Sequence, residues 1–155
     1  MTEKFIWSCF IQDHEVMPHP RLVHGKVAQK IDPRTQKYLQ NRDALAWLLK
    51  SIWRRKAIDR PVIVRMEVGI TNNRKSDWDN FAKTVCDAAM EAGILKDDRH
   101  IERGELTVFR GLTYPFVGIA IYEGGVTPWI VKTNPTKINA SQGGGTDRRG
   151  KGTEP

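Results

Sequence analysis

Residues 61–71 (PVIVRMEVGIT) set Val62, Val64, Met66, Val68 and Ile70 at every second position. A period of two puts all five side chains on one face of an extended strand, so the chain must build a sheet with an apolar layer over it. Residues 5–11 (FIWSCFI), 101–110 and 116–123 read as further strands, the last two joined through residues 111–115 as a hairpin. Two helices complete the set. The first spans about residues 33–56: Leu39, Ala44, Leu48, Ile52 and Trp53 recur at helical spacing, and Arg42, Lys50, Arg54, Arg55 and Lys56 crowd the other surface and the last turn. The second starts at Ser76-Asp77-Trp78-Asp79, with a capping hydroxyl and acids in its first turn, and stops at Gly93. Its apolar face comprises Trp78, Ala82, Val85, Ala89 and Ala92, with Asp79, Lys83 and Asp87 on the polar one and Phe81 also in the core. Pro18 and Pro20 make residues 17–27 a loop, followed by a short strand around residues 26–31. The expectation is an α+β fold of about four strands and two main helices.

At 155 residues the chain suits one domain, placed at residues 1–123. Residues 124–155 hold seven of the 13 glycines and few core formers, so they read as a flexible basic tail with Trp129, Ile130 and Val131 as its apolar patch. No run approaches the roughly 20 apolar residues of a membrane span. Residues 1–10 also lack the pattern of a cleaved leader, which leads us to expect a cytoplasmic protein with no membrane partner. Cys9 and Cys86 have no CxxC spacing and are expected reduced and buried. His14, His19, His24 and His100 show no metal-ligand spacing.

The net charge of +7 is unevenly spread. Residues 1–60 carry 12 Lys/Arg against six acids, whereas residues 77–105 hold eight of the chain's 18 acids. Basic flanks around an acidic island suit phosphates and a cation respectively; a solvated charged helix fits the same count. In the sequence RKSDWDNFAK, Asp77 and Asp79 sit one residue apart at a loop-to-helix junction, and Asp97-Asp98 follows. Carboxylates meeting in one pocket are hard oxygen ligands for Mg²⁺ or Mn²⁺, and Lys83 one turn beyond Asp79 could contact a phosphate. The alternative makes Asp77 and Asp79 helix-dipole acids, Asp79–Lys83 an ordinary i,i+4 pair and Asp97-Asp98 a turn.

The order and gaps of D-x-D-N-x-x-K (Asp77, Asp79, Asn80, Lys83), Asp87-Ala88, Gly93-Ile94-Leu95 and Asp97-Asp98 closely resemble the RusA-type Holliday junction resolvases. The resemblance covers residues 61–123 and, more loosely, the N-terminal third. It implies a small mixed sheet and a homodimer that binds four-way junction DNA in recombination and repair, making paired symmetric nicks with Mg²⁺, for which Mn²⁺ can substitute. Carried over residue by residue, the family's metal-binding and catalytic acids fall on Asp77, Asp79 and Asp98, and its catalytic lysine on Lys83. Such proteins are often encoded by bacteriophages and prophages. DNA contacts are expected from Arg74 and Lys75 beside the acids, from Arg54 and Arg55 at the end of the first helix, and from Arg110, which stands where relatives often carry Lys. Two rival readings keep these residues: a junction-binding module without catalysis, and a nuclease for forks or flaps.

Overall fold

A computed structural model describes residues 3–20 and 32–125, and the expected strand at 26–31, the tail beyond Gly125 and its apolar patch lie outside them. The elements are β1 (Phe5–Gln12), α1 (Pro33–Ile52), β2 (Val62–Gly69), α2 (Trp78–Glu91), a short 3₁₀ turn (Asp98–His100), β3 (Ile101–Phe109) and β4 (Phe116–Glu123). The four strands form one mixed sheet in the order β1-β4-β2-β3: β4 runs antiparallel to both β1 and β2, and β3 runs parallel to β2. The α+β architecture of four strands and two helices is as expected. The hairpin is not. A parallel strand needs a crossover, and α2 supplies it, returning the chain beside β2 as β3. Residues 110–115 then pass over the end of β2, where Leu112 N–H donates to Ile70 O (3.1 Å) and Gly111 N–H to Asn72 O (3.3 Å), and β4 enters on β2's other side.

The alternation read from residues 61–71 sends Val62, Val64, Met66 and Val68 into the core with Val117, Ile119 and Ile121 of β4. Both helices contribute to that core. From α1 it takes Leu45, Ala46 and Leu49, and from α2 Phe81, Val85, Ala88 and Ala89. The buried stripe of α1 is therefore turned from the expected one. Leu39 and Ile52 are exposed, as is Ala44, and the helix ends at Ile52 with Trp53 as a buried cap. Apolar side chains occur all round α1, so spacing alone fits more than one face, and packing selects the stripe through Tyr38, Leu45 and Leu49. In α2, Trp78 is 59% exposed rather than in the core, and it is the first residue of the helix. Gly93 ends the helix as anticipated, at φ +75°, a conformation costly for a residue with a Cβ.

The sheet's other face carries a lattice of charges. Arg65 reaches Glu105 (2.8 Å) and Glu3 (3.0 Å), Arg103 bonds both Glu3 and Glu105, and the Arg65 guanidinium lies 5.0 Å from the Tyr122 ring centroid. At the opposite end of that face the Phe116 ring stacks on Phe10 at 5.1 Å and covers Gly69, its partner across β2 and β4. A Cβ at Gly69 would lie 2.4 Å from that ring. Gly69→Ala should therefore displace Phe116 and lower unfolding free energy by about 1–3 kcal/mol, as for other overpacked sites. Urea unfolding measures it, and a loss below about 0.5 kcal/mol would mean that the ring swings aside freely.

Candidate active site

The segment that carries Asp77 and Asp79 leaves the end of β2 and is braced from two sides. Glu15, just after β1, accepts hydrogen bonds from Thr71 N–H (2.9 Å), the Thr71 hydroxyl (3.0 Å) and the Asn72 amide (3.1 Å). From beyond β3, Arg110 donates to the carbonyls of Arg74 (3.4 Å) and Ser76 (3.2 Å). Arg110, expected to contact DNA, thus holds the backbone leading into Asp77. Residues 13–20 form a strap that is tied down in turn. Asn41 of α1 bridges it, accepting from Met17 N–H (2.9 Å) and donating to Glu15 O (2.8 Å), and Val16 is buried in the core. On α2, the buried Thr84 hydroxyl donates to Met17 O (2.9 Å), and Asn80 O accepts from His19 N–H (3.1 Å).

Asp77, not Ser76, is the N-cap of α2, and its carboxylate makes no capping hydrogen bond. The contrast with α1 is direct: there Asp32 accepts from Arg34 N–H, Thr35 N–H and the Thr35 hydroxyl. An N-cap side chain ordinarily satisfies an orphan N–H of the first turn, so the Asp77 oxygens are left for another partner. Asp79, two residues on, is exposed and forms no ion pair with Lys83, itself exposed. Two neighbouring hard carboxylates without a cation of their own suit Mg²⁺ as ligands. Beside them opens a cleft of about 530 Å³ lined by Met17, Pro18, His19, Pro20, Arg34, Lys37, Tyr38, Arg74, Lys75, Ser76, Asp77 and Asn80. Arg74 and Lys75 stand next to the acids as anticipated; Arg34, Lys37 and His19 were missed. Their signal was the one-turn spacing of Arg34 and Lys37, which the apolar pattern of α1 obscured. Burial first, then the charge of Lys83, lowers the His19 pKa.

Asp98 lies elsewhere. It opens the 3₁₀ turn that feeds the start of β3, and Ile101 there pairs with Val62 at the start of β2, whereas Asp77 follows the end of β2. The 14 residues of α2 span roughly 20 Å between the two ends. Among the described residues no group of three His, Cys, Asp or Glu side chains is placed to hold a metal ion. Within one chain Asp77 and Asp79 therefore stand at the start of α2, and Asp98 lies past its end. Its neighbour Asp97 is captured by the Arg99 guanidinium (2.6 Å) and backbone N–H (2.9 Å), which hold its carboxyl far below the usual range. Arg54 and Arg55 follow the end of α1 at the Asp98 end of the molecule, where Ile58 bridges to Leu95 and Asp59 binds Lys96 and His100. Cys86 and Cys9 are free and half-buried, and burial pushes both thiols up to about 11.

Removal of the Arg110 brace tests the loop's dependence on it. Arg110→Ala should change global stability by less than about 1 kcal/mol, because the side chain is exposed, yet speed amide hydrogen exchange through residues 72–77. Unchanged exchange there would show that Glu15 alone fixes the loop.

The profile of the endodeoxyribonuclease RusA family matches residues 14–122, a stretch that contains the strap, both helices, the braced loop and all three acids. No curated protein matches the chain. With seven-tenths of its length under that match, the chain belongs to the RusA endodeoxyribonuclease family.

Proposed function

We propose that the protein is a Mg²⁺-dependent homodimeric endonuclease that resolves four-way DNA junctions by paired nicks in recombination and repair, with each active site completed across the two-fold axis. The observation that carries the dimer is the separation of Asp98 from Asp77 and Asp79 by the length of α2. Each chain then offers two incomplete half-sites: Asp77, Asp79, Lys83, Arg74 and Lys75 at one end, and Asp98 with Arg54 and Arg55 at the other. A two-fold axis perpendicular to α2 sets the start of one α2 beside the end of its mate, which joins each first half to a second half. The same axis matches a junction of two-fold symmetry and accounts for paired cuts.

Asp77 and Asp79, with Asp98 of the partner subunit, would hold the metal. A divalent ion supplies there an acidified water and charge neutralisation at the scissile phosphodiester. The rest of the work falls to the chain. Lys83, one turn along α2 and without an ion pair among the described residues, offsets negative charge that builds on the phosphorus oxygens in the transition state. The N-terminus of α2 adds its positive end to the same phosphate. Arg74 and Lys75 fix the phosphate's register, and the Glu15 and Arg110 braces keep that loop from drifting.

The experiment is cleavage of an end-labelled four-way junction, with duplex, fork and flap controls. Asp79→Asn or chelation of the metal should abolish nicking while junction binding persists, and Lys83→Ala should slow turnover by about 10²–10³-fold. Preferred cutting of forks or flaps would change the substrate and keep the nuclease; binding without cutting under any divalent metal would leave a junction-binding module. The shared site has its own test. Asp79→Asn and Asp98→Asn chains, each inactive alone, should regain single nicks once their subunits exchange, because one site of the mixed dimer has all three acids. If Asp98 served its own chain, every site in the mixture would be defective and no activity would return.

A further inference from the structure

We infer that the cleft between the strap, the start of α1 and residues 74–77 is a second phosphate seat, in which Arg34 and Lys37 hold the backbone of the cleaved strand next to the scissile phosphate. The inference rests on the nuclease reading above and adds a contact that reading does not contain.

Charge is the first ground. Four cations, Arg34, Lys37, Arg74 and Lys75, line the cleft, and Asp77 at its edge is the one acid among the lining residues. Elsewhere five arginines are paired, Arg42 with Asp43, Arg60 with Glu123, Arg65 and Arg103 with Glu3 and Glu105, and Arg99 with Asp97, while Arg54, Arg55 and Arg110 make no ion pair among the described residues. None of the four cleft cations has an ion-pair partner among the described residues. Like charges collected on one concave surface raise the local potential and favour an anion that bridges them.

Shape and rigidity are the second ground. A further hollow of about 310 Å³ adjoins the cleft and shares Met17, Pro18, Lys37, Arg74 and Ser76 with it, so the two form one groove rather than a closed pocket. A groove open along its length suits a chain of phosphates better than a small molecule. Arg34 and Lys37 sit one turn apart on the same side of α1, a helix fixed at its start by the Asp32 cap and the buried Thr35. The opposite wall is the strap, tied by Asn41, Thr84 and Asn80. His19 lies edge-on to Tyr38 at 5.0 Å and gives that wall an aromatic lining. Because Asp77 and Asn80 belong to the lining as well, a strand whose scissile phosphate meets the acids enters this groove with its next phosphate.

The test is junction binding without metal at a series of salt concentrations for wild type, Arg34→Gln/Lys37→Gln and Lys50→Gln, followed by cleavage with Mg²⁺. Lys50 is an exposed cation near the far end of α1 and controls for net charge. The double variant should lower the slope of log K against log salt by about 1–2 and weaken binding at moderate salt roughly tenfold, since each phosphate contact contributes about 0.9 to the slope. Lys50→Gln should leave the slope at the wild-type value, and Lys37→Arg should keep it as well by retaining the charge. An unchanged slope in the double variant, with wild type binding and cutting normally, overturns the second seat and leaves the nuclease reading intact. An equal fall in Lys50→Gln also overturns it. Failure of wild type itself to bind or cut DNA is the separate failure of the reading beneath. Melting curves exclude misfolding, and if the double variant melts early, Lys37→Gln alone is read against Lys37→Arg.

Discussion

Parallel pairing of β2 with β3 is the constraint from which the other features follow. It obliges the chain to travel back along the whole sheet between the two strands, and α2 is that return path. The crossover buries Phe81, Val85, Ala88 and Ala89 against the strands and so supplies much of the core. It also assigns its two ends to opposite edges of the molecule. Asp77 caps the start of the crossover helix and Asp98 follows its end, so the two lie on opposite sides of α2 in the chain. If they act together, the meeting takes place between subunits, and quaternary structure becomes part of the chemistry rather than an addition to it.

Local features were legible in the sequence to the extent that one residue's neighbours decide them. The period of two in β2 and the stop at Gly93 depend on backbone geometry within a few positions and stand as read, while the start of α2 lies where the acids placed it but with Asp77 instead of Ser76 as its cap. What failed depends on distant partners. The neighbour of β4 is chosen by where α2 delivers β3, some forty residues away, so a short turn between β3 and β4 looked like a hairpin and is a crossing. The stripe of α1 is chosen by what packs on it, and with Leu39, Trp47 and Ile52 outside, the sequence offered competing faces. In the site, the motif named Asp77, Asp79 and Asp98 as candidates, while their distribution along the fold required the topology.

The charges divide into two populations with different uses. On the open face of the sheet, Arg65, Arg103, Glu3 and Glu105 satisfy one another, and such exposed lattices add little stability individually but keep the surface polar. Around the start of α2 the arrangement differs: among the described residues Asp77, Asp79 and Lys83 form no ion pair, and neither do the cations that line the neighbouring cleft. Groups of both signs held by braces are, on the proposed reading, what a phosphate backbone with its counterions would meet there.

The strand order has a further consequence for how the protein is made. Among the described residues β1, an apolar strand near the start of the sequence, pairs only with β4, the fourth strand in chain order. During synthesis at about 5–20 residues per second, β1 waits roughly 6–24 s before that neighbour leaves the ribosome. Through that interval Phe5, Trp7 and Phe10 stand on an unmatched edge, the kind of segment that chaperones recognise and that aggregates when they are scarce. Closure of this sheet thus follows synthesis of both helices, whereas the strap after β1 finds its partners on α1 and α2 before β4 is made.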